Sequence, residues 1–400
     1  MSVRLVLSGQ YAHIKDSGGV GRYSHELYRR VLSQSIREYI PQGDILAWDF
    51  PDFEERPATE SRSGSGIPRK LKNAVKPWIP PALIVPKEPK AQTTVAPRAI
   101  PFNGKTTEPV VFHEMSNYGA CREIARVVLA PSVRLCVTFH DVQDLFYPEY
   151  FDDEDLRSRR CYYSLYKDVA EQFFAVSEFT KRSMMERLRI PAERIKVTYL
   201  AADGFQDSVD PEHEAYAKQF GRYLIYPAKF WKHKNHEFLL RAISARRGEF
   251  KSQGLRVLLT GGFSQAEAEA LLKETAKHRV KDQVLVLGFQ TNQALRALIR
   301  NAEFLVFPSL FEGFGMPVLE ALGSGCPVLC ARQASLPEVA GDAAIFFDPT
   351  ETDSLVAVFD QMLAGKIDRQ KLIQKGNAQF EKFSWDKNFR ETAEQYAKLT

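Results

Sequence analysis

The feature that most constrains this chain is a rhythm. From residue 223 onward, short apolar runs alternate with segments of helical period. YLIYPAKF (223–230) precedes NHEFLLRAISAR, LRVLLTGGF (255–263) precedes SQAEAEALLKETAKH, and QVLVLGF (283–289) precedes TNQALRALIRNA. AEFLVFPSL (302–310) then leads into FEGFGMPVLEALGSG, and CPVLCA and AAIFFDP close the series. Strands alternating with helices imply parallel sheets joined by βαβ crossovers. The first half repeats the pattern in VRLVLSGQ (3–10) before GGVGRYSHELYRRVL (18–32), then PVVFHEMS (109–116), VRLCVTFHD (133–141), EQFFAVSEFTKRSMMERL (171–188) and IKVTYLAADG (195–204). The fold class read from this is α/β, with two Rossmann-like domains whose parallel sheets face across a cleft. The expected boundaries are 1–204 for the first domain, 205–222 for a linker and 223–384 for the second domain. A helix over 385–400 is expected to return to the first domain.

At 400 residues the chain exceeds one ordinary core, which agrees with two domains. A net charge of +4 excludes a dominant nucleic-acid-binding arm, although it permits local basic patches. The five cysteines, Cys121, Cys136, Cys161, Cys326 and Cys330, are scattered and mostly in apolar contexts, as expected of reduced thiols in a cytoplasmic protein. No CxxC or Cys/His cluster suggests zinc. The N-terminus reads as a strand and not as a signal peptide. No apolar run reaches the roughly 18 residues of a membrane-spanning helix.

Ligands of open parallel sheets sit beyond the C-terminal strand ends, and FEGFGMPVLEALGSGCPV (311–328) occupies such an end. A helix starting near Pro317 leaves its first amides without intrahelical partners, and its positive end favours an anion. Gly313 and Gly315 let backbone N–H groups approach a bulky ligand. Glu312 and Glu320 would repel a phosphate but suit hydroxyl groups on either side of it, since a carboxylate accepts neighbouring O–H bonds well. Phosphate in the middle with polyols at both ends describes a sugar nucleotide.

The same string resembles the E-x7-E signature of the retaining GT-B glycosyltransferases of family four (group 1), with a mannosyltransferase-like cast. Nearly the whole chain follows that pattern: GGVGRY, VTFHDVQDLFYPEYF, FFAVSEFTKRSMMERLRIPAERIKVTYLAADGF, YPAKFWKHKNHEFLLRAI, SLPEVAGDAAIFFDP and FSWDKNFRETAEQYAKL each match a landmark of the family. The resemblance implies that domain 1–204 binds the acceptor and domain 223–384 the nucleotide sugar. It places Glu312 against the donor sugar and Glu320 on the ribose. The backbone of Phe314, Gly315 and Met316 would meet diphosphate and sugar, with Gly19, Phe289, Gly313, Pro317 and Val318 also donor-binding. The basic pair that neutralises the diphosphate, usually Arg and Lys five apart, becomes Lys229 and Lys234 here. The lysine at 229 keeps the charge and loses the bidentate fork, and Lys232 and His233 stand as neighbouring alternatives. The matching histidine, His140, would face the donor sugar, so His140, Glu312 and Lys234 are the expected catalytic residues.

Other residues carry plainer readings. Gly18, Gly19 and Gly21 resemble the family's loop that closes on the donor phosphates; a dinucleotide fingerprint is the rival, without a G-x-G-x-x-G. Arg22 is either a phosphate contact or a surface charge. Asp141 caps the turn after His140, and Ser177 with Glu178 forms a helix start. FDDEDL (151–156) reads as solvated acid on a helix and not as a metal-binding DxD. The family's usual mechanism is same-face attack, with the leaving phosphate taking the acceptor's proton. No metal or other cofactor is required, because the lysines do the cation's task.

The expected function is transfer of a sugar from a nucleotide sugar to a glycan or lipid-linked acceptor in surface polysaccharide biosynthesis. GDP-mannose is the favoured donor and a UDP-sugar the alternative. Rival functions are a sugar-nucleotide epimerase or hydrolase on the same fold and a non-catalytic sugar-nucleotide-binding subunit. Finally, a Pro-, Ser- and Lys-rich insertion at about 53–108 carries one expected short helix near 68–76. Within it, residues 67–87 place Arg69, Lys70, Lys72 and Lys76 near Leu71, Trp78, Ile79, Leu83, Ile84 and Val85. That mixture suits an anionic membrane surface on the inner face, and equally suits packing back on the first domain.

Overall fold

The computed structural model describes residues 3–8, 19–32, 36, 38–39, 43–48, 109–115 and 132–400. The insertion at 53–108, with its expected helix and membrane-facing stretch, lies outside these residues, as do Gly18 and Cys121. The described chain divides into two compact units, one formed by the N-terminal part to Ala201 together with Phe383–Thr400, the other by Ala202–Lys382.

The first unit holds a parallel sheet ordered β2-β1-β3-β4-β5-β6. Its strands are β1 (Val3–Ser8), β2 (Gly43–Trp48), β3 (Val110–Glu114), β4 (Val133–Phe139), β5 (Ala170–Ala175) and β6 (Ile195–Val197). β2 was passed over in the sequence reading, and β6 covers only the start of the run expected at 195–204. Helix α1 (Gly19–Leu32) follows β1, α2 (Asp153–Val169) follows β4, and α3 (Glu178–Ser183) follows β5. The core is aromatic: Tyr162 and Tyr166 lie one turn apart on α2, and with Tyr163 they pack on Phe112, Phe139 and Phe173 of the sheet. The C-terminal helix (Trp385–Leu399) belongs to this unit. Its Asn388 Nδ2 donates to the carbonyls of Thr198 (3.1 Å) and Tyr199 (2.8 Å), and Arg30 of α1 donates to Asp386 at 2.9 Å.

The second unit repeats the architecture with the order β12-β11-β10-β7-β8-β9, all parallel. Its strands are β7 (Tyr223–Pro227), β8 (Arg256–Thr260), β9 (Val284–Gly288), β10 (Phe304–Phe307), β11 (Val328–Ala331) and β12 (Ala344–Phe347). Its helices are α4 (Pro211–Lys218), α5 (His236–Ala245), α6 (Arg247–Ser252), α7 (Gln265–Lys277), α8 (Asn292–Asn301), α9 (Met316–Gly323), α10 (Leu336–Ala340), α11 (Thr352–Leu363) and α12 (Arg369–Phe380). Every residue of β7, β10 and β11 is buried, as continuous apolar runs in a sheet covered on both faces require.

The expected linker at 205–222 is instead folded into this unit. Pro211 opens α4, Tyr216 is buried with its hydroxyl donating to Gln290 Oε1 at 2.9 Å, and Arg300 of α8 donates to the Asp207 carbonyl at 2.9 Å. Phe205, Tyr216 and Phe220 are all buried, so three aromatic anchors dock a segment whose composition looked like tether.

Candidate active site

In the second unit the chain runs from β7 outward through β8 and β9, then returns to β10 on the other side of β7 and runs outward through β11 and β12. The adjacent β7 and β10 therefore flank the point where the strand order reverses, the usual ligand crevice of such sheets. The loop after β7 carries residues 228–235, and the loop after β10 carries 308–315. They are joined by an ion pair, Lys234 Nζ donating to Glu312 Oε1 at 2.6 Å, with the side chains only 14% and 13% exposed. The Lys234 ammonium also lies 5.6 Å from the Phe307 ring centroid.

Each end of this pair is held by its backbone. Tyr226 OH donates to the Lys234 carbonyl. Leu310 N–H donates to the His233 carbonyl at 2.8 Å, tying one loop to the other. Asn235 sits in the left-handed region (φ 59°) and its side chain donates to the carbonyls of Pro349 (2.9 Å) and Pro308 (3.3 Å). His236, the first residue of α5, is buried against Tyr226 and Phe230, and neither ring nitrogen has a hydrogen-bond partner. Burial, then the Lys234 charge and His233, pulls its pKa down to about 3. Burial and Lys234 likewise pull His233 down to about 4. Both rings are therefore neutral at physiological pH, which leaves the lysines as the cations of these loops.

Gly315 ends the β10 loop at φ +106°, a conformation that favours glycine, and a Cβ there would stand 2.7 Å from Leu336 Cδ2 and displace that methyl. No side chain caps α9, and Pro317 occupies its first turn, so the helix presents its positive end as the sequence implied. Phe314 is buried, and Met316 and Pro317 are half-buried. Val318 is fully buried and its N–H turns to the Gly315 carbonyl at 3.0 Å. The Val318 side chain thus packs in the core of this unit. Glu320, one turn further along α9, is a buried carboxylate. The sequence reading missed Ser335. Its hydroxyl, fully buried, donates to the carbonyls of Phe314 (2.7 Å) and Glu312 (2.9 Å), fastening the carboxylate-bearing loop from behind.

The neighbouring strand ends complete the surroundings. Gly261 after β8 has φ +153°, and a Cβ there would lie 2.5 Å from the Ala228 carbonyl, so the chain after β7 runs against bare backbone. Lys229 is exposed, with its ammonium 4.9 Å from the Trp231 ring centroid. Phe289, after β9, is 58% exposed.

The remaining expected residues lie in the first unit. His140 follows β4 and is buried; its Nε2 donates to the Met115 carbonyl at 2.9 Å, and its ring meets Tyr23 edge-on at 5.2 Å. Burial pulls its pKa down to about 4, so it is a neutral hydrogen-bonding ring and not a cation. Behind it runs a buried chain: Tyr23 OH with Thr138 Oγ1 (2.8 Å), Thr138 with His113 Nε2 (2.8 Å), and His113 Nδ1 with Tyr396 OH. Asp141 Oδ1 accepts from Gln143 N–H (3.1 Å), and Ser177 Oγ accepts from Thr180 N–H (3.0 Å) as a helix cap. Gly19 opens α1, Gly21 is buried within it, and Arg22 is half-buried on it.

Asp152 caps α2 by accepting from Asp155 N–H at 2.8 Å, with Asp153, Glu154 and Asp155 in the first turn, where acids favour the helix dipole. Among the described residues, one trio has metal-type ligands close together: Glu237, Glu274 and His278 on or beside α5 and α7. Lys277 already lies 2.9 Å from Glu274 and 3.6 Å from Glu237, and no member of the trio is on the β7 or β10 loop.

Residues 210–379 match the family described as glycosyl transferases group 1. The chain is 27% identical over 390 residues to the O-antigen chain mannosyltransferase B of Escherichia coli, covering 95% of this chain and 96% of that protein. Among solved structures it is similar to the sucrose-phosphate synthase of Thermosynechococcus elongatus (TM-score 0.69, 14% identity, 100% and 99% of the two chains). It is likewise similar to Anabaena Alr3699/HepE in complex with UDP and glucose (TM-score 0.66, 15% identity, 99% of each chain).

Proposed function

We propose that this chain, a glycosyltransferase of the group 1 family with the GT-B fold, transfers mannose from GDP-mannose to a glycan or lipid-linked acceptor in surface polysaccharide assembly, with retention at the anomeric carbon. The observation that carries this is the Lys234–Glu312 pair at the strand-order reversal of the second unit. It sets a cation for a diphosphate beside a carboxylate for sugar hydroxyls. The end-to-end likeness to a mannosyltransferase supports mannose, and so GDP, as the donor's parts.

In this reading the donor's diphosphate meets Lys234, Lys229 and the uncapped N-terminus of α9. Glu312 accepts from hydroxyls of the sugar, Glu320 from the ribose, and His140 serves the sugar as a neutral ring. The bond from the anomeric carbon to the phosphate oxygen breaks as the acceptor oxygen bonds to the same face of that carbon. The acceptor's proton passes to the departing phosphate oxygen. Catalysis is then positioning plus stabilisation of the leaving diphosphate by fixed charges, and the reaction needs no metal because the lysines and helix end supply the positive field.

A nucleotide-sugar panel tests this. GDP-mannose should raise the melting temperature, since ligand at 100 times its Kd adds about 2.7 kcal/mol, and labelled mannose should pass to a lipid-linked oligosaccharide with the α-configuration kept. Stabilisation by UDP-sugars alone would overturn the donor assignment. Release of free mannose in place of transfer would instead indicate a hydrolase.

A further inference from the structure

Two large apolar side chains of the second unit are left open to solvent among the described residues, Trp231 (50% exposed) and Phe289 (58%). Both stand where the chain leaves a strand, beside the loops described above. A tryptophan held half in water gives up much of the burial that usually fixes its ring. Trp231 is fixed by its backbone instead. Its N–H donates to the Lys229 carbonyl at 2.9 Å, and its carbonyl accepts from Lys234 N–H at 3.0 Å. The tight bend from 229 to 231 lays the Lys229 ammonium 4.9 Å from the indole centroid, with the His233 ring on the same indole at 5.6 Å.

The two lysines of the loop are held differently. Lys234 has a carboxylate at 2.6 Å. Among the described residues Lys229 has no ion pair, and its ammonium meets the indole instead. A lysine is a point charge on a flexible stem, without the rigid fork an arginine would bring to a diphosphate. The attraction of an ammonium to an indole face is weak in water and grows several-fold once solvent is excluded, as a bound nucleotide sugar would exclude it here.

We propose that Trp231 is a positioning residue for the transfer reaction: its indole holds the Lys229 ammonium in place for the donor's diphosphate, supplying the orientation that lysine lacks at this position. The proposal rests on the donor site argued above. It assigns Trp231 no contact of its own with the reacting atoms. Its effect runs through Lys229, and the indole matters only while that cation is present.

Four variants test it: Trp231→Ala, Trp231→Phe, Lys229→Met and the double variant Trp231→Ala/Lys229→Met. Each is assayed for mannose transfer from GDP-mannose and for binding of inorganic pyrophosphate by calorimetry. Trp231→Ala should lower kcat by about tenfold, within the range of a desolvated cation–π contact, with a smaller change in donor KM. Trp231→Phe should restore most of the rate, because a ring face remains. In the Lys229→Met background, removing the indole should cost less than about twofold more, since coupled residues are non-additive. Fully additive losses, or a Trp231→Phe as impaired as Trp231→Ala, would overturn the proposal. Should the wild-type protein turn over no GDP-mannose, the donor reading fails. Pyrophosphate affinity still decides the matter, a non-additive loss across the same variants supporting the proposal and indifference to Trp231 sinking it.

Discussion

Lys234 Nζ and Glu312 Oε1 lie 2.6 Å apart although 78 residues separate them, and the bond joins the loops after two adjacent parallel strands. Each group neutralises the other where water is largely excluded, which fixes both before any ligand is engaged. Glu312→Gln keeps the shape and removes the charge. Turnover should fall by about 10²- to 10³-fold while GDP affinity changes little, because the freed ammonium remains for the diphosphate. Stopped assays paired with calorimetry separate the two; equal losses in both would place Glu312 on the nucleotide.

Glu320 is buried on α9 and is proposed to meet the ribose. Glu320→Gln should weaken GDP binding by about tenfold or more, the scale of one charge-assisted hydrogen bond. An unchanged dissociation constant would remove the ribose from this helix.

Ser335 gives a third outcome. Ser335→Ala deletes the hydroxyl that donates to the carbonyls of Glu312 and Phe314, leaving two buried acceptors worse satisfied at a cost of about 1–3 kcal/mol. The melting temperature should fall, and donor KM should rise as the loop loosens. A variant with wild-type KM would show that the loop holds its form without that hydroxyl.

Sugar transfer should persist in EDTA, because Lys229, Lys234 and the α9 terminus are proposed to carry the positive charge that a metal brings to other glycosyltransferases. Activity lost to chelator and restored by Mn²⁺ would return attention to Asp152–Asp155.

Acid should unfold the protein in a defined window. Burial is the largest cause of depression for His113 and His236 (each to about 3) and for His140 and His233 (each to about 4). An unfolded histidine titrates near 6.5. Below that value the unfolded chain binds more protons than the folded one, so stability rises with pH. The neutral rings contribute fully above about pH 6.5, and their contribution is lost as pH falls toward 4, on the order of 1–2 kcal/mol per histidine by pH 5. Thermal melts from pH 7.5 to 4.5 check this; a flat profile would mean that these rings are open to protonation when folded.

How much of this was legible in the sequence depended on whether the information was local. The strands of the second unit announce themselves because a strand buried on both faces must be apolar throughout, as β7 and β10 are. β2 was missed because GDILAW is a brief run just before the long polar insertion. The segment 205–222 looked like tether because its buried residues, Phe205, Tyr216 and Phe220, are spaced among charged and small ones. Glu312 and Glu320 were expected from the chemistry of a helix end as well as from resemblance to a known signature, and Lys229 and Lys234 were expected from that resemblance. Their pairing was not, since nothing in either segment encodes a bond across 78 residues. Ser335 was passed over because a serine before Leu-Pro reads as an ordinary helix cap, yet its side chain makes no cap bond and turns to the neighbouring loop. Trp231 was hidden among basic neighbours that drew the eye as charge alone.

The placement of the C-terminal helix has a consequence for synthesis. Among the described residues the second unit is one stretch, Ala202–Lys382, whereas the first unit needs Phe383–Thr400. Tyr396 completes the bond to His113, Asn388 caps the chain end at Thr198 and Tyr199, and Asp386 meets Arg30. On the ribosome, where domains ordinarily finish in the order they are made, this order is inverted. Among the described residues the second unit has its parts first, and the first unit must wait until Phe383–Thr400 has left the exit tunnel. A chain stopped before Phe383 would therefore carry every described part of the second unit and a first unit without its closing helix.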